Sequence, residues 1–478
     1  MTARFTLDQA AWAAGARIVS AGAGDPQVLH GVSTDSRVAA KDALFVALVG
    51  ESFDGSKFAV TAARGGCAAV LVAAPSAARV VEELRAANLP AAVLASADTG
   101  RSLAGLAAAW RGRMSDLRVV AITGSAGKTS TKELIASVLA AAGPTLKTEG
   151  NLNNEIGVPL TLLKLEAAHR YAAIECGMNH LGEIARLAAW ADPDVAVVTN
   201  VAPVHLEGCG SIEGVAHAKG ELFHALRSTG IAVANADDPR VLAQARLSGR
   251  KLLSFGRAED AGVRLLDAHH DKAGIAARLR LPDGTGRHVR LALIGLHNAL
   301  NAAAAAAAGW ALGLDANAIE KGLLEARTPG RRMRPVPLAN DRLLLDDCYN
   351  ANPASTVAAL ETLTELSAGR GKPIAILGDM LELGPTELDL HREVGRKAAQ
   401  SGLSLLIAFG DRARSLRDAA VEAGLPAGIA LCTSDPAEAA RWADERSARG
   451  DVLLVKGSRG MRMERISDAL SGLTNEAH

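Results

Sequence analysis

Short continuous apolar runs alternate with alanine-rich or amphipathic stretches along most of this chain. Runs of four to eight apolar residues bounded by turn residues mark strands buried on both faces, as in a parallel sheet. Residues 67–74 and 91–97 have this pattern, with helical stretches around them, so residues 1–115 are expected to form a small α/β domain. At Arg118 the run Val119-Val120-Ala121-Ile122 leads into a glycine-containing loop, and a helix-patterned segment follows to about Ala142. This predicts a parallel βα unit. Residues 171–174, ending at Glu175, and residues 195–199 read as further strands of a central domain over 116–328. The turn signal Thr328-Pro329-Gly330 closes the helix that begins after Ala316. Strand and helix then alternate at 343–347, 354–368, 374–379, 387–400, 405–410 and 452–456. Parallel strands need crossover helices, so residues 329–478 are expected to form a second doubly wound, Rossmann-like sheet. The seven alanines at 302–308 suit a tightly packed helix, since Ala is the strongest helix former.

Composition narrows the class. A chain of 478 residues, 49% hydrophobic and 22% charged, has room for about three domains of roughly 150 residues and is neither disordered nor fibrous. The 52 basic and 52 acidic residues cancel, which removes the footprint of a dedicated nucleic-acid binder. An anion must therefore be met by local groups. The five cysteines are scattered without a CxxC pair, which points to a reducing compartment and against a disulfide frame or structural zinc. Asp8 and Arg17 interrupt the alanine-rich start, so a signal peptide is not expected. The longest uncharged run, residues 302–314, is short of the roughly 18–20 residues that span a bilayer. A cytoplasmic protein without membrane insertion is expected.

The strongest chemical signal is Gly124-Ser125-Ala126-Gly127-Lys128-Thr129-Ser130 between strand and helix. Such a loop turns backbone N–H groups toward phosphate oxygens, the helix start adds its positive dipole end, the lysine reaches the outer phosphates, and Thr129 can ligate Mg²⁺. Ile122 stands where the usual spacing has glycine, so this is a GxxGKT variant. Glu175 and His205 follow apolar strands, at the strand ends where open α/β sheets bind ligands, and are candidate Mg²⁺ ligands. A capping carboxylate and a hydrogen-bonded histidine are the plainer alternatives. Lys219, taken by itself, reads as a solvated helix lysine. Asn298 and Asn301 share one helical face, where amides can read a base or ribose edge or merely cap. Arg331, Arg332 and Arg334 precede Asp346-Asp347-Cys348-Tyr349-Asn350-Ala351-Asn352-Pro353, a strand end suited to a nucleotide's sugar and base. An arginine on a separate domain can cover a γ-phosphate when domains close.

Together these motifs resemble the Mur ligase superfamily, and within it the MurF branch, over essentially the whole chain. The resemblance rests on Ser33-Thr-Asp-Ser-Arg37, Phe45-Val-Ala-Leu-Val-Gly50 and Asp54-Gly55 at the start, and on Thr123-Gly-Ser-Ala-Gly-Lys-Thr-Ser-Thr131 in the centre. It extends through Thr148-Glu-Gly-Asn-Leu-Asn-Asn154, Glu175 to Gly182, His205 to Gly208, Ala218 to Glu221 and His297 to Asn301. Pro329-Gly-Arg331, the DDCYNANP string at 346–353 and Leu377-Gly-Asp-Met-Leu-Glu-Leu-Gly384 complete it.

This resemblance implies an α/β protein of three domains: a UDP-binding domain, a P-loop ATPase domain and a Rossmann-like ligase domain. It implies ATP-dependent ligation of D-alanyl-D-alanine to UDP-N-acetylmuramoyl-tripeptide through an acyl phosphate, for peptidoglycan synthesis. Ser36, Arg37, Glu51, Ser52 and Phe53 would hold the UDP end, and Asn151, Asn153, Asn154, Asn350 and Asn352 would contact substrate. Asn298, Asn301, Arg331, Asp347 and Tyr349 would contact ATP. Thr129, Glu175, His205 and a carbamoylated Lys219 would serve two Mg²⁺ ions. Ser56 stands where the family often has histidine, which puts one local substrate contact in doubt. A monomer is expected. The rivals are another Mur-type or folylpolyglutamate synthase-like ligase, separable by acceptor, and a P-loop NTPase switch, which a complete uridine-site motif argues against.

Overall fold

The computed structural model describes residues 3–22, 28–38, 40–271, 274–327 and 330–472. Each long apolar run becomes a strand with nearly every residue buried, and each alanine-rich stretch becomes a helix covering it.

Four sheets result among the described residues, one of them only the antiparallel pair Arg4–Phe5 and Leu29–His30; the three larger ones follow. The first has the order Arg17–Ser20, Ala92–Ser96, Ala69–Ala73, Leu44–Val46, Val32–Ser33, parallel except for Arg17–Ser20. The second runs Gly286–Leu291, Gly274–Arg280, Val263–Asp271, Lys251–Gly256, Ile231–Asn235, Val195–Val198, Arg118–Thr123, Tyr171–Glu175, Thr145–Lys147. The third runs Arg334–Pro337, Leu343–Asp347, Val452–Lys456, Pro373–Gly378, Leu405–Phe409, Ala430–Thr433, parallel except for its first strand.

The second sheet positions the chemistry. Strand Arg118–Thr123 lies between Tyr171–Glu175 on one side and Val195–Val198 on the other, both parallel to it. All three carboxyl ends therefore open at one edge, at the point where the chain's crossovers change direction. The parallel strands are extended by Gly274–Arg280 and Gly286–Leu291, which pair antiparallel with Val263–Asp271. This extension goes beyond the all-parallel central sheet expected from the sequence. Its strands alternate, with Val263, Leu265, Ile275, Ala277, Leu279, Val289 and Leu291 facing the core and arginines outward, the pattern of a half-solvated antiparallel sheet.

Helix His297–Ala311 buries all seven of Ala302 to Ala308. Small side chains let it approach the helix that follows the glycine loop, Lys128–Ala140. A Cβ at Gly309 would lie 2.8 Å from Val138 Cγ1, so contact there is already at its limit.

The cores are unevenly shared. One apolar cluster joins Phe5, Leu29, Leu71 and Leu103 of the first sheet's layer to Val119, Ile174 and Leu222 of the second. Helix Thr99–Arg111 bridges them, with Trp110 Nε1 donating to Leu165 O at 3.0 Å and Arg111 Nε to Ala191 O at 3.0 Å. Two further clusters lie on the faces of the third sheet, almost wholly within residues 333–466. Parting the first two layers would expose apolar surface, whereas moving the third sheet's layer costs chiefly polar contacts. The boundary expected at Thr328 and Pro329 lies outside the described residues.

Candidate active site

The glycine loop closes between strand Arg118–Thr123 and helix Lys128–Ala140. Gly124 and Gly127 have φ of 153° and 78°, and a Cβ on Gly124 would sit 1.9 Å from Thr199 Oγ1. Only glycine serves there. Residues after the neighbouring strand hold the loop: Asn200 Oδ1 accepts from Ala126 N at 2.8 Å, Thr199 Oγ1 donates to Ala126 O at 2.7 Å, and Ser125 N donates to Asn200 O at 3.0 Å. Lys128 Nζ folds back onto Gly124 O at 2.9 Å. Burial lowers its pKa, Glu175 opposes that shift, and Arg332 adds to it. Thr129 is buried and Ser130 half-buried in the helix's first turn.

Glu175 is 2% exposed at its strand's end. Its Oε1 accepts from Asn153 Nδ2 at 2.8 Å, while Oε2 is buried with no hydrogen-bond partner. An ionised oxygen left so is costly unless a cation meets it. A hard cation taking one protein carboxylate, the Thr129 hydroxyl, substrate oxygens and water fits this donor set. The carboxylate is anchored from behind. Glu175 N donates to Thr148 Oγ1 at 3.0 Å, and the fully buried Lys132 Nζ donates to Thr148 O at 2.6 Å and pairs with Glu133 at 2.8 Å. Lys132 sits one turn beyond Lys128, so the phosphate helix and the carboxylate strand are tied through Thr148. Sequence reasoning passed over Lys132 and gave Thr148 no role beyond its place in the 148–154 motif; in a helix whose first six residues are all polar, nothing local marked Lys132 as the buried one.

His205 takes a left-handed conformation, φ 55°, and burial, with Lys128 and Lys219 adding to it, lowers its pKa to about 4. Its imidazole is neutral at pH 7 and able to accept or ligate. Lys219, on helix Ile212–His224, is 1% exposed, and no hydrogen bond or ion pair to a described residue holds its amine. Burial, then Lys128, pushes its pKa well down. The solvated-lysine reading therefore fails on packing.

Asn298 and Asn301 do share a face, but both are buried and bonded to each other, Asn301 Nδ2 to Asn298 Oδ1 at 2.9 Å. Asn301 Oδ1 backs the glycine loop, 2.8 Å from where a Cβ on Gly127 would stand.

The third domain contributes differently from the sequence expectation. Arg331 is held within its own domain, Nη1 to Asp346 at 3.2 Å and Nη2 to Asp468 at 2.6 Å. The arginine that crosses is the next one: Arg332 Nη2 donates to Thr129 Oγ1 at 3.0 Å. Asp347 is likewise committed, to Lys456 Nζ at 2.7 Å and Met333 N at 3.1 Å. The Tyr349 ring is covered by the Arg332 guanidinium at 3.8 Å. Asn350 and Asn352 face Ser125, Lys128 and His205 across a cleft of about 160 Å³, with Leu381, Glu382 and Ser458 beside them. Asn352 also caps helix Pro353–Ser367. In the 151–154 loop Asn153 reaches Glu175, Asn154 Oδ1 accepts from Ile156 N and Gly157 N just ahead of helix Gly157–Leu162, and Asn151 is exposed.

The uridine candidates lie on loops of the first sheet. Arg37 folds onto Asp35, Nη2 to Oδ2 at 2.7 Å, and holds that carboxyl down near pKa 2, while Ser36 is half-buried beside it. Glu51, Ser52 and Phe53 are exposed, and Phe53 stacks on Phe58 at 5.8 Å. Ser56 is buried and accepts from Arg79 at 2.7 Å.

Comparison with known proteins matches this arrangement. Residues 28–111 match the Mur ligase family catalytic domain, 122–309 the Mur ligase middle domain and 331–459 the Mur ligase glutamate ligase domain. The UDP-N-acetylmuramoyl-tripeptide–D-alanyl-D-alanine ligase of Escherichia coli K12 is 39% identical over 446 residues, covering 92% of this chain and 94% of that protein. A crystal structure of MurF from Acinetobacter baumannii superposes with a TM-score of 0.88 at 31% identity, covering 98% of this chain and 99% of that one. MurF ligase from Thermotoga maritima, solved in complex with ADP, gives 0.81 at 28% identity over 93% and 97%. Sequence, fold and glycine-loop geometry agree, and the chain belongs to the Mur ligase family.

Proposed function

We propose that this chain uses ATP to join D-alanyl-D-alanine to UDP-N-acetylmuramoyl-tripeptide, yielding the UDP-linked pentapeptide of peptidoglycan synthesis, as a cytoplasmic monomer. The observation that carries the reading is the cleft in which Ser125, Lys128 and His205 of one domain face Asn350 and Asn352 of another. A phosphate-binding wall and an acceptor wall on separate domains suit a reaction that must bring ATP, a carboxylate and an amine together. Identity of 39% across 92% of the chain to a ligase of that name supports the substrates.

A carboxylate is a poor acyl donor at neutral pH. A tripeptide carboxylate oxygen therefore attacks the γ-phosphorus as the bond to ADP breaks, giving an acyl phosphate. The dipeptide amine then adds to the acyl carbon, loses a proton and expels phosphate. Bringing two anions together is the main electrostatic obstacle, and Lys128 with the glycine-loop N–H groups lowers it. Thr129, Glu175 and His205 are the residues that would hold Mg²⁺, which would supply charge neutralisation there. The buried, unpartnered Lys219 amine suits addition to CO₂, which gives a carbamate anion and releases one proton; the anion is compatible with a cation site where an ammonium is not.

Asn153→Ala frees the Glu175 carboxylate to turn. Outer-shell partners of metal ligands are worth about 10–100-fold, so the Mg²⁺ concentration for half-maximal ATP consumption is expected to rise by about that factor. An unchanged Mg²⁺ titration would show that the Asn153–Glu175 bond plays no part.

Product mass spectrometry tests the whole reading. Incubation with ATP, Mg²⁺, the UDP-linked tripeptide and D-alanyl-D-alanine is expected to give the pentapeptide and one ADP per bond. ADP release without pentapeptide, or equal use of free amino acids, overturns it.

A further inference from the structure

After strand Pro373–Gly378 the chain runs Asp379-Met380-Leu381-Glu382-Leu383-Gly384 before helix Glu387–Gln400, and Leu381, Glu382 and Leu383 line the cleft opposite Ser125, Lys128 and His205. Three successive backbone N–H groups of this loop are met from three separate segments. Asp379 N donates to Phe409 O at 3.2 Å, Met380 N to His391 Nε2 at 2.9 Å, and Leu381 N to Ser458 Oγ at 2.9 Å. The Asp379 carboxylate is fixed as well, accepting from Ala413 N at 2.7 Å. Glu382 then takes a left-handed φ of 64°, a strained backbone that persists only where its surroundings over-determine it. A Cβ on Gly384 would lie 3.9 Å from Glu207 Cβ, so the loop's far end stands against the short helix that follows His205.

The His391 imidazole is wholly buried, and its Nδ1 lies 2.6 Å from Glu387 O. A carbonyl oxygen only accepts, so Nδ1 carries the proton; Met380 N only donates, so Nε2 is bare. Burial, helped by Arg412, lowers the ring's pKa against the opposing Glu387 carbonyl and the Asp379 and Glu387 carboxylates. One neutral tautomer therefore joins helix Glu387–Gln400 to the loop. We propose that His391 is a positioning residue for the acceptor: its imidazole holds the 379–384 loop as the cleft wall against which D-alanyl-D-alanine is seated. This rests on the ligase reading above and deepens it. His391 itself touches no substrate and acts through Met380 N. The glycine loop on the opposite wall is held by Thr199 and Asn200 of its own domain, so a shift of residues 379–384 leaves the phosphate cradle in place.

The two ring nitrogens can be tested apart. An Asn amide places its polar atoms near Nδ1, a Gln amide near Nε2. His391→Asn therefore keeps a donor for Glu387 O and leaves Met380 N unpaired, whereas His391→Gln can present an acceptor to Met380 N. With ATP and the UDP-linked tripeptide saturating, His391→Asn is expected to raise KM for D-alanyl-D-alanine about 10-fold, the scale of one lost hydrogen bond, and to leave KM for ATP within about twofold. His391→Gln should hold the dipeptide KM within about threefold of the unaltered chain. A merely structural histidine would lower the urea midpoint in both variants and leave both KM values alone. An unchanged dipeptide KM in His391→Asn, equal rises for ATP and dipeptide, or equal rises in the two variants overturns the proposal. If His391→Asn fails to fold, hydrogen exchange decides. D-alanyl-D-alanine added to the unaltered chain with the UDP-linked tripeptide and a β,γ-imido ATP analogue should slow exchange at Met380 and Leu381, and exchange there indifferent to the dipeptide also overturns the proposal. Failure of the ligase reading looks different: the unaltered chain then forms no pentapeptide at all.

Discussion

Lys128→Ala is expected to reduce ATP-dependent ligation by about 10³-fold, since removing one preorganised charge from a transferring phosphoryl group is worth about 4 kcal/mol. The fold should survive. Without ligand the Lys128 ammonium makes one hydrogen bond, to Gly124 O at 2.9 Å, and the loop is held independently by Thr199 and Asn200. Burial and the nearby Arg332 already disfavour the charged amine, so removing it relieves cost as well as function. The variant should show the unaltered urea midpoint and no pentapeptide. Activity within a factor of a few of the unaltered chain would mean the glycine loop does not hold the reacting phosphates.

Lys219→Ala is the second large effect, a loss of about 10²–10³-fold, on the view that an anion made from this amine completes the cation site. A short carboxylic acid in the medium should restore part of the activity, by placing a carboxylate where the carbamate stood. A ¹³C carbamate resonance in labelled bicarbonate is the direct check. Its absence, together with failed rescue, defeats the modification. Stability should move the opposite way. The folded pKa lies well below the ordinary 10.5, so the unfolded chain binds a proton at neutral pH that the folded chain resists. That difference subtracts stability below the unfolded pKa and vanishes as pH rises through it. Lys219→Met should therefore raise the unfolding free energy in metal-free, CO₂-free buffer at pH 7, with a smaller gain near pH 10.

Both lysines illustrate how differently the site was legible. Lys128 could be read directly, because a glycine loop between a parallel strand and a helix has a local geometry that a short string of residues specifies. Lys219 could not. Its helix carries His217 and Glu221 as polar neighbours, and nothing local distinguishes a buried lysine from a solvated one. Only the packing of helix Ile212–His224 against its neighbours, with 1% of the residue exposed, makes that amine unusual.

The arginines carry the same lesson within three residues. Arg331, Arg332 and Arg334 are equivalent as a string. Asp468, 137 positions away in sequence, captures Arg331, while the left-handed turn at Met333 sends Arg332 to Thr129. Asn153 was visible as part of an asparagine-rich loop, but its partner, the Glu175 carboxylate, is brought to it by the pairing of the Tyr171–Glu175 and Thr145–Lys147 strands.

Apolar periodicity and turn residues thus determined the α/β class, the three-layered order of strands and helices and the phosphate loop, because each depends on contacts close along the chain. Which of several identical cations or amides reaches the reacting group was decided by tertiary structure alone. Desolvation and ion pairing depend on what surrounds a charge in space, and those neighbours come from strands and domains that the chain order keeps apart.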